Sequence, residues 1–160
     1  MTWGNPPPFK PDPPKPSKLI TPEMIAGDSE SSHQKALFAW AALSVGKYPA
    51  LAFMFAIPNG GLRDIRTAST LKAEGVRSGV PDIFLPKWSV IKISPAHVRQ
   101  MHGCFIEMKL EKYRNRKNGG CSEEQIEFIE WAVTAGYYCK VCYSWIEARD
   151  TLINYLEGKL

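Results

Sequence analysis

Two acidic residues and one lysine form the strongest chemical pattern in this sequence. Asp82 opens the short apolar segment Asp82-Ile83-Phe84-Leu85, and Glu107 and Lys109 lie two positions apart in a later apolar segment. Because successive side chains of a β-strand point to opposite faces, Glu107 and Lys109 are expected on the same face. If the two segments form neighbouring strands, Asp82 comes close to both. The sequence therefore predicts a site in which two carboxylates converge beside an ammonium group.

Such a site suits a hard divalent cation. Two ionised carboxylates held close together repel each other, and Mg²⁺, which prefers oxygen ligands and keeps several waters, relieves that repulsion. A metal-bound water is a nucleophile near neutral pH, and a lysine beside it can orient the water or neutralise charge on a phosphate oxygen. This combination predicts hydrolysis of a phosphodiester bond. An ordinary ion pair between Glu107 and Lys109 on an exposed strand is the alternative interpretation.

The residues around this pattern resemble the PD-(D/E)xK nucleases, and more closely the VRR-NUC (virus-type replication-repair nuclease) family. The resemblance runs from about Glu30 to Leu156. Its segments follow one another in the family's order, namely Ile57-Pro58-Asn59-Gly60-Gly61 with Arg63, Leu71 to Asp82, Ile106 to Lys109, Ser122 with Gln125, and Ala135-Gly136-Tyr137.

The resemblance implies a DNA nuclease that depends on Mg²⁺ or Mn²⁺ and has an α/β fold, a restriction-endonuclease-like core with a central mixed β-sheet flanked by helices. Small stand-alone members, often from phages, resemble dimeric enzymes that act on branched DNA such as four-way junctions. The domain attached to larger repair proteins is associated with flap and crosslink processing. This chain resembles the small kind, so DNA as partner and a homodimer are expected.

Family positions can be carried over to this sequence residue by residue. The resemblance implies that Asp82 and Glu107 are metal ligands, that the main-chain carbonyl of Met108 is a third, and that Lys109 is the catalytic lysine. Gln125 matches the glutamine that follows the lysine strand, which adds it to the predicted catalytic set. Glu30 precedes Gln34 by one helical turn, as in the family's first helix, and is a further candidate metal ligand.

Three of these polar residues also have purely structural interpretations. Ser122-Glu123-Glu124-Gln125 fits a capping box, in which Gln125 serves the start of a helix. Glu30 fits the first turn of a helix, where a negative charge suits the helix dipole. His33 invites a role as general base, but an isolated histidine near a helix start is more often solvated.

Basic residues stand on both sides of the proposed acids, as a phosphate backbone approaching them would require. The candidate DNA-binding residues are Arg63, Arg66, Lys72 and Arg77 before Asp82, and Lys112, Arg114, Arg116 and Lys117 after Glu107. A flexible, solvated loop is an additional interpretation of the second group, and the two interpretations are compatible. The net charge of +4 permits nucleic-acid binding without requiring it.

The cysteines favour a structural interpretation. Cys139 and Cys142 have CxxC spacing, but they fall within Tyr137 to Tyr143, whose aromatic and branched residues are typical of a strand. The sequence shows no signal peptide and no apolar run of membrane-spanning length, so we expect a cytoplasmic setting, in a bacterium or a phage-infected host, with no membrane partner and no required disulfide.

The chain of 160 residues, 44% of them hydrophobic, is long enough to bury one core and is expected to form one domain. Residues 1–22 are rich in proline and predict an extended tail, which leaves residues 23–160 as the nuclease-like domain. The predicted element order is α-β-α-β-β-α-β-α. Its bounds are a helix from Ser29, a strand from Leu51 to Ile57, a helix from Arg63 to Glu74 closed by Gly75, the two acid-bearing strands, a helix from Ser122 to Ala135, a strand from Tyr137 to Tyr143 and a helix from Ser144 to Leu156.

Several functions are compatible with these patterns. The first is a structure-selective DNA endonuclease that acts on branched DNA in the manner of a four-way junction resolvase. A flap or single-strand nuclease of the same fold is the alternative within the enzyme class, and a non-catalytic nucleic-acid-binding protein on a nuclease scaffold is the alternative outside it. Trp3, Trp88 and Trp145 are expected to be exposed, either at a dimer face or for base stacking.

Overall fold

The protein is seen in a computed structural model that describes residues 21–58, 70–94 and 97–160. Almost all of the predicted proline-rich tail, the Asn59-Gly60-Gly61 turn, Arg63 and Arg66 lie outside the described residues. The helices are α1 (Pro22–Ile25), α2 (Glu30–Ser44), α3 (Glu123–Thr134) and α4 (Trp145–Glu157). The strands are β1 (Phe55–Ala56), β2 (Ile83–Leu85), β3 (Ser89–Ser94), β4 (His97–Met101), β5 (Cys104–Met108) and β6 (Tyr138–Cys142).

A four-stranded sheet with the order β1-β2-β5-β6 organises the molecule. The β1–β2 and β2–β5 pairs are antiparallel, whereas β5 and β6 are parallel and joined through α3. The predicted mixed sheet flanked by helices is therefore confirmed. The predicted adjacency of the two acid-bearing segments is confirmed as well, because Ile83 is the register partner of Ile106.

Both faces of this sheet are covered, which explains why every residue of β5 is buried. One face carries Ile83, Leu85 and Ile106, which join the main hydrophobic core together with residues of α2 and α4. The opposite face carries Phe84 and Phe105, whose rings stack at 4.3 Å. The ring of Phe128 in α3 packs edge-on against Phe105 at 5.4 Å. A strand buried on both faces reads as a continuous apolar run, as β5 does apart from Glu107.

The first predicted strand is wrong over most of its length. The predicted range from Leu51 to Ile57 contains a 3₁₀ helix over Pro49–Phe53, and strand pairing is confined to Phe55–Ala56. Leu51 and Met54 are buried while the residues between them are exposed. That spacing of three matches one turn of a 3₁₀ helix rather than the alternation of a strand. The apolar composition of this segment favours a strand, but the spacing of its buried residues is that of a helix, and the spacing corresponds to the observed structure.

A β-hairpin is inserted between the two acid-bearing strands. Strands β3 and β4 pair antiparallel as a separate two-stranded sheet, which the predicted element order lacks. The hairpin is tied to the last helix, because the Ser89 hydroxyl donates to the Tyr155 carbonyl at 2.6 Å and the Tyr155 hydroxyl donates to the Lys87 carbonyl at 2.7 Å. It leaves the central sheet after Leu85 and returns at Cys104, which are register partners. The acids on either side keep their relative positions.

The helix starts follow the predicted caps, with one change in the last helix. Ser29, Ser122 and Ser144 are the N-caps of α2, α3 and α4. In α4 only half of a capping box forms: the Ser144 hydroxyl accepts from the Glu147 N–H, but the Glu147 carboxylate accepts from the Tyr143 main-chain N–H at 3.0 Å. Trp145 is then 5% exposed and Ile146 is 48% exposed. The predicted exposure of Trp145 is therefore wrong, and the buried face of α4 begins at Trp145 rather than at Ile146.

Two glycines with positive φ shape the approach to Asp82. Residues 70–73 are helical, and Gly75 (φ +96°) ends that helix as predicted, with Val76 N–H donating to the Leu71 carbonyl at 2.9 Å. Gly79 has φ +84°, and a Cβ there would lie 2.5 Å from the main-chain oxygen of Glu124. The turn before Asp82 thus lies directly against the first turn of α3, which carries Gln125. Only glycine fits this contact without displacing one of the two segments.

Candidate active site

Asp82 lies where the chain enters β2, and main-chain contacts fix it on both sides. Its main-chain carbonyl accepts from the Ile57 N–H at 2.7 Å. Its carboxylate Oδ2 accepts from the Met108 N–H at 2.9 Å. Because β2 and β5 are antiparallel neighbours, this bond places the Asp82 carboxylate beside Glu107. The structure therefore brings the two predicted acids together.

Glu107 is a buried carboxylate, only 1% exposed, on the face of β5 that α3 covers. Its Oε1 atom takes two donors, the Lys109 ammonium at 2.8 Å and the Gln125 side-chain amide at 2.5 Å. Its Oε2 atom is buried, and no N–H or hydroxyl group of the residues that the structure describes donates a hydrogen bond to it. A buried carboxylate oxygen without a donor is costly, so Glu107 Oε2 points to a ligand beyond the residues that the structure describes.

The electrostatics of the three charged groups agree with that conclusion. Burial and then repulsion by Asp82 raise the pKa of Glu107 to about 7, against the opposing effects of Lys109 and Gln125. Burial also raises the pKa of Asp82, more than the Met108 N–H, Lys109 and the contact with the Glu107 side chain lower it. Burial lowers the pKa of Lys109, but its hydrogen bond and attraction to Glu107 raise it above the ordinary value. Lys109 is therefore insufficient to stabilise both carboxylates as anions.

These residues fit a divalent metal ion. A hard cation would supply the positive charge that Asp82 and Glu107 lack and would give the Glu107 Oε2 atom a partner. Met108 follows Glu107 in β5 and its N–H donates to Asp82, and its main-chain carbonyl is the third oxygen in the predicted ligand set. Within the described part of the chain, no three acidic, histidine or cysteine side chains converge closely enough to hold a metal. Two carboxylates, a carbonyl and water would therefore form the first coordination sphere, a composition that suits Mg²⁺.

Gln125 serves both of the roles that the sequence left open. Its side-chain oxygen accepts from the Ser122 N–H at 2.9 Å, and its own N–H donates to the Ser122 hydroxyl at 3.2 Å, which completes the predicted capping box. Its side-chain amide donates to Glu107 at the same time. The start of α3 is thus linked directly to the buried carboxylate. The two interpretations of Gln125 do not exclude each other.

Glu30 and His33, both in α2, differ in their relation to the site. Glu30 is close enough for its charge to contribute to the raised pKa of Lys109, after the larger effects of burial and Glu107. It does not form a metal cluster with Asp82 and Glu107. His33 faces the last helix, where its Nδ1 accepts from the Trp145 N–H at 3.3 Å. This contact gives His33 a structural role in joining α2 to α4.

Cys121 is a site neighbour that the sequence reasoning missed. Burial raises the pKa of its thiol, followed by the effects of Glu107 and other charged groups of the site. The available signal was its position directly before Ser122, the N-cap of the helix that carries Gln125. All four cysteines are free thiols, and Cys139 and Cys142 lie in β6 as predicted.

The described candidate DNA-binding residues are all exposed, yet their environments differ. Lys72 and Arg77 precede Asp82, and Arg77 lines a groove of about 320 Å³ between the end of β1 and residues 74–80. Lys112, Arg114, Arg116 and Lys117 belong to residues 111–120, the loop that connects the site lysine to α3. This loop consists of consecutive hydrogen-bonded turns. We call residues 111–120 the basic loop.

None of the helices in the described ranges is both long and apolar enough to cross a membrane.

Comparison with known proteins supports the fold. No protein-family model matches this chain, and no curated protein is significantly similar to it in sequence. A solved structure of a "VRR_NUC domain protein" is 20% identical and superposes with a TM-score of 0.61 over 83% of this chain and 92% of that chain. At this identity the likeness shows the fold, and it agrees with the α/β architecture expected from the sequence motifs.

Proposed function

We propose that this protein is a divalent-metal-dependent endonuclease that hydrolyses phosphodiester bonds in DNA. The main support is the buried Glu107 carboxylate. Its Oε1 atom accepts from Lys109 and Gln125, and its Oε2 atom lies near Asp82 with no donor among the described residues. A purely structural ion pair would not need a second acid next to it. The fold of a VRR_NUC domain protein adds independent support.

The residues divide the work as follows. Asp82, Glu107 and the Met108 carbonyl would hold the metal, and the bound ion would supply a water of lowered pKa and a Lewis acid for the phosphate. The Met108 N–H keeps the Asp82 carboxylate oriented. Gln125 fixes the Glu107 Oε1 atom, so that Oε2 keeps its direction. These contacts keep the acids in place before any substrate arrives.

Lys109 is the catalytic group in direct reach of the reacting phosphate. Its ammonium lies 2.8 Å from Glu107 and remains 12% exposed, so it is partly open toward the space where a phosphate would enter. Its raised pKa keeps it protonated at neutral pH. The protonated form suits charge neutralisation on a phosphate oxygen better than deprotonation of water. Of the two roles predicted for Lys109, electrostatic stabilisation is therefore favoured.

We further propose branched DNA as the preferred substrate and a homodimer as the active form. The support is the resemblance to small stand-alone VRR-NUC members, together with cations on both sides of the acids in sequence. A two-fold dimer would present two sites for paired cuts across a four-way junction. A flap or single-strand nuclease of the same fold could work as a monomer, so a monomeric mass in light scattering of the purified protein would count against the junction-cutting dimer.

The test is cleavage of labelled DNA by the full chain. Four-way junction, flap, duplex and single-stranded DNA are incubated with Mg²⁺, Mn²⁺ or EDTA. The native protein is compared with Asp82→Ala, Lys109→Ala and the matched surface variant Lys92→Ala. We expect metal-dependent cutting, fastest on the junction, that Lys92→Ala preserves and that both site variants reduce by at least about 10³-fold.

Two outcomes would overturn the proposal. Cutting that persists in Asp82→Ala or Lys109→Ala would place the chemistry elsewhere or in a contaminant. DNA binding with no cutting of any substrate in either metal would instead favour a non-catalytic binding protein on this scaffold.

A further inference from the structure

The four cations of the basic loop fall into two groups, according to whether an acidic side chain neutralises them. Arg114 donates to Glu111 at 2.7 and 2.9 Å and to Glu147 at 2.9 Å, and its guanidinium lies 4.2 Å from the ring centre of Tyr143. Lys117 is paired with Glu123 at 2.9 Å. Neither Lys112 nor Arg116 has an ion-pair partner among the described residues. The loop's uncompensated positive charge is therefore located at Lys112 and Arg116.

A single aromatic ring holds these two cations together. The Lys112 ammonium lies 5.2 Å and the Arg116 guanidinium 4.7 Å from the centre of the Tyr113 ring. Such contacts orient the cations without neutralising them, because a ring carries no net charge. Lys112, Tyr113 and Arg116, which we call the tyrosine cluster, thus present two charges at a defined place on the surface.

The rest of the loop is built to support this cluster. Asn118 and Gly119 both adopt left-handed conformations, and the Tyr143 hydroxyl donates to the Gly119 carbonyl at 3.2 Å. A Cβ on Gly120 would lie 2.6 Å from Cβ of Tyr113. Arg114 links the loop to Glu147 in α4. The loop is therefore anchored to the folded core before it meets any partner, which lowers the entropic cost of binding.

From these contacts we propose that the tyrosine cluster binds the phosphate backbone of the DNA strand that enters the site, whereas Arg114 and Lys117 stabilise the loop. The proposal rests on the nuclease function proposed above, which it makes more specific. Lys112 follows Lys109 by three residues, so their Cα atoms are at most about 11 Å apart. That distance spans only a few nucleotides of one strand. Because cations already lie against the Tyr113 ring, phosphate contact is favoured over stacking of a base on that ring.

Salt-dependent binding tests the proposal without any catalysis. Binding of fluorescently labelled duplex DNA is measured in EDTA from 50 to 300 mM salt for the native protein and the double variant Lys112→Ala/Arg116→Ala. Each lost phosphate contact lowers the steepness of log K against log salt by about 0.9, so the double variant should lose about 1.8 and bind on the order of tenfold more weakly at 150 mM salt.

Two further variants make the result specific. Lys35→Ala/Lys92→Ala removes the same charge from α2 and the hairpin, and it should leave the slope within about 0.3 of the native value. Tyr113→Leu should weaken duplex and single-stranded binding equally, because the backbone is common to both. If Lys35→Ala/Lys92→Ala lowered the salt slope as much as Lys112→Ala/Arg116→Ala, binding would depend on positive charge spread over the surface, and the proposal would be overturned. A loss in Tyr113→Leu that is confined to single strands would indicate base stacking, and would overturn it too.

Failure of this inference can be told apart from failure of the nuclease proposal. If the native protein cuts DNA but the double variant keeps the full slope, the tyrosine cluster is not the phosphate site. If the slope falls as expected but no metal ion supports cutting, the phosphate site stands and the nuclease proposal fails.

Discussion

Glu107 in the site and Glu123 at the start of α3 have nearly the same partners. Glu107 Oε1 accepts from the Lys109 ammonium at 2.8 Å and the Gln125 amide at 2.5 Å. Glu123 Oε1 accepts from the Lys117 ammonium at 2.9 Å and the Asn118 amide at 3.4 Å. The Glu107 side chain is 1% exposed and the Glu123 side chain 74% exposed. Burial, rather than partner type or distance, therefore distinguishes the candidate catalytic pair from a surface ion pair.

The largest expected difference comes from removing the two lysines by the same substitution. In EDTA at pH 8, Lys109→Met should lower the free energy of unfolding by about 3 kcal/mol, because it leaves a buried carboxylate without its cation. Lys117→Met should change it by no more than about 0.5 kcal/mol. Urea denaturation measures both values. Similar values for the two variants would contradict the role assigned to burial.

The second prediction concerns pH. Because the pKa of Glu107 is raised to about 7 in the folded state, its protonation stabilises the metal-free protein fully below its unfolded value near 4.5, and this stabilisation is lost as pH rises through about 7. The loss amounts to roughly 3 kcal/mol at most. The native protein should therefore lose stability relative to Glu107→Gln between pH 5 and 8.

Unfolding curves in EDTA at several pH values test this sign. The same curves for Glu123→Gln measure the effect of removing a surface charge alone. The prediction would be contradicted if the free energy of unfolding of the native protein, relative to that of Glu107→Gln, stayed constant or increased as pH rises.

The third prediction separates the two roles of Gln125. Gln125→Glu keeps an acceptor for the Ser122 N–H, so the helix cap survives, but it replaces the donor to Glu107 by a negative charge. Gln125→Ala loses both contacts. If the contact to Glu107 governs the site, Gln125→Glu should cut DNA at least about tenfold more slowly than the native protein and no faster than Gln125→Ala. Near-native cutting by Gln125→Glu would leave capping as the function of Gln125.

The sequence predicted the core of the site because local rules governed it. Alternation along a strand placed Glu107 and Lys109 on one face, and the short apolar run after Asp82 identified its neighbour. The dual role of Gln125 required knowing that α3 begins beside β5, a tertiary fact that a capping pattern does not contain. The proximity of Cys121 to the acids has the same origin.

Other features differ from the predictions, each for its own physical reason. Leu51 to Ile57 is apolar throughout, so its composition resembled a strand although burial recurs every three residues. The predicted exposure of Trp145 is wrong because the buried face of α4 begins at this first helical residue and continues through Ala148 and Leu152. The sequence also does not predict which cations of the basic loop have partners, because Arg114 contacts Glu147 and Tyr143, which lie in distant segments of the chain.

The hairpin between β2 and β5 bears on the order of folding. Residues 86–103 separate Leu85 from Cys104, and pairing their strands requires closing that length of chain, at an entropic cost that grows with length. The hairpin pairs residues close in sequence and can form early, which shortens the length of chain that remains to be closed.

We therefore expect Val98→Ala to slow folding and Ile106→Val mainly to speed unfolding, as measured by stopped-flow kinetics. The reverse pattern would refute this order of folding. On this pathway the two mutually repelling acids come together late, after most of the stabilising contacts have formed.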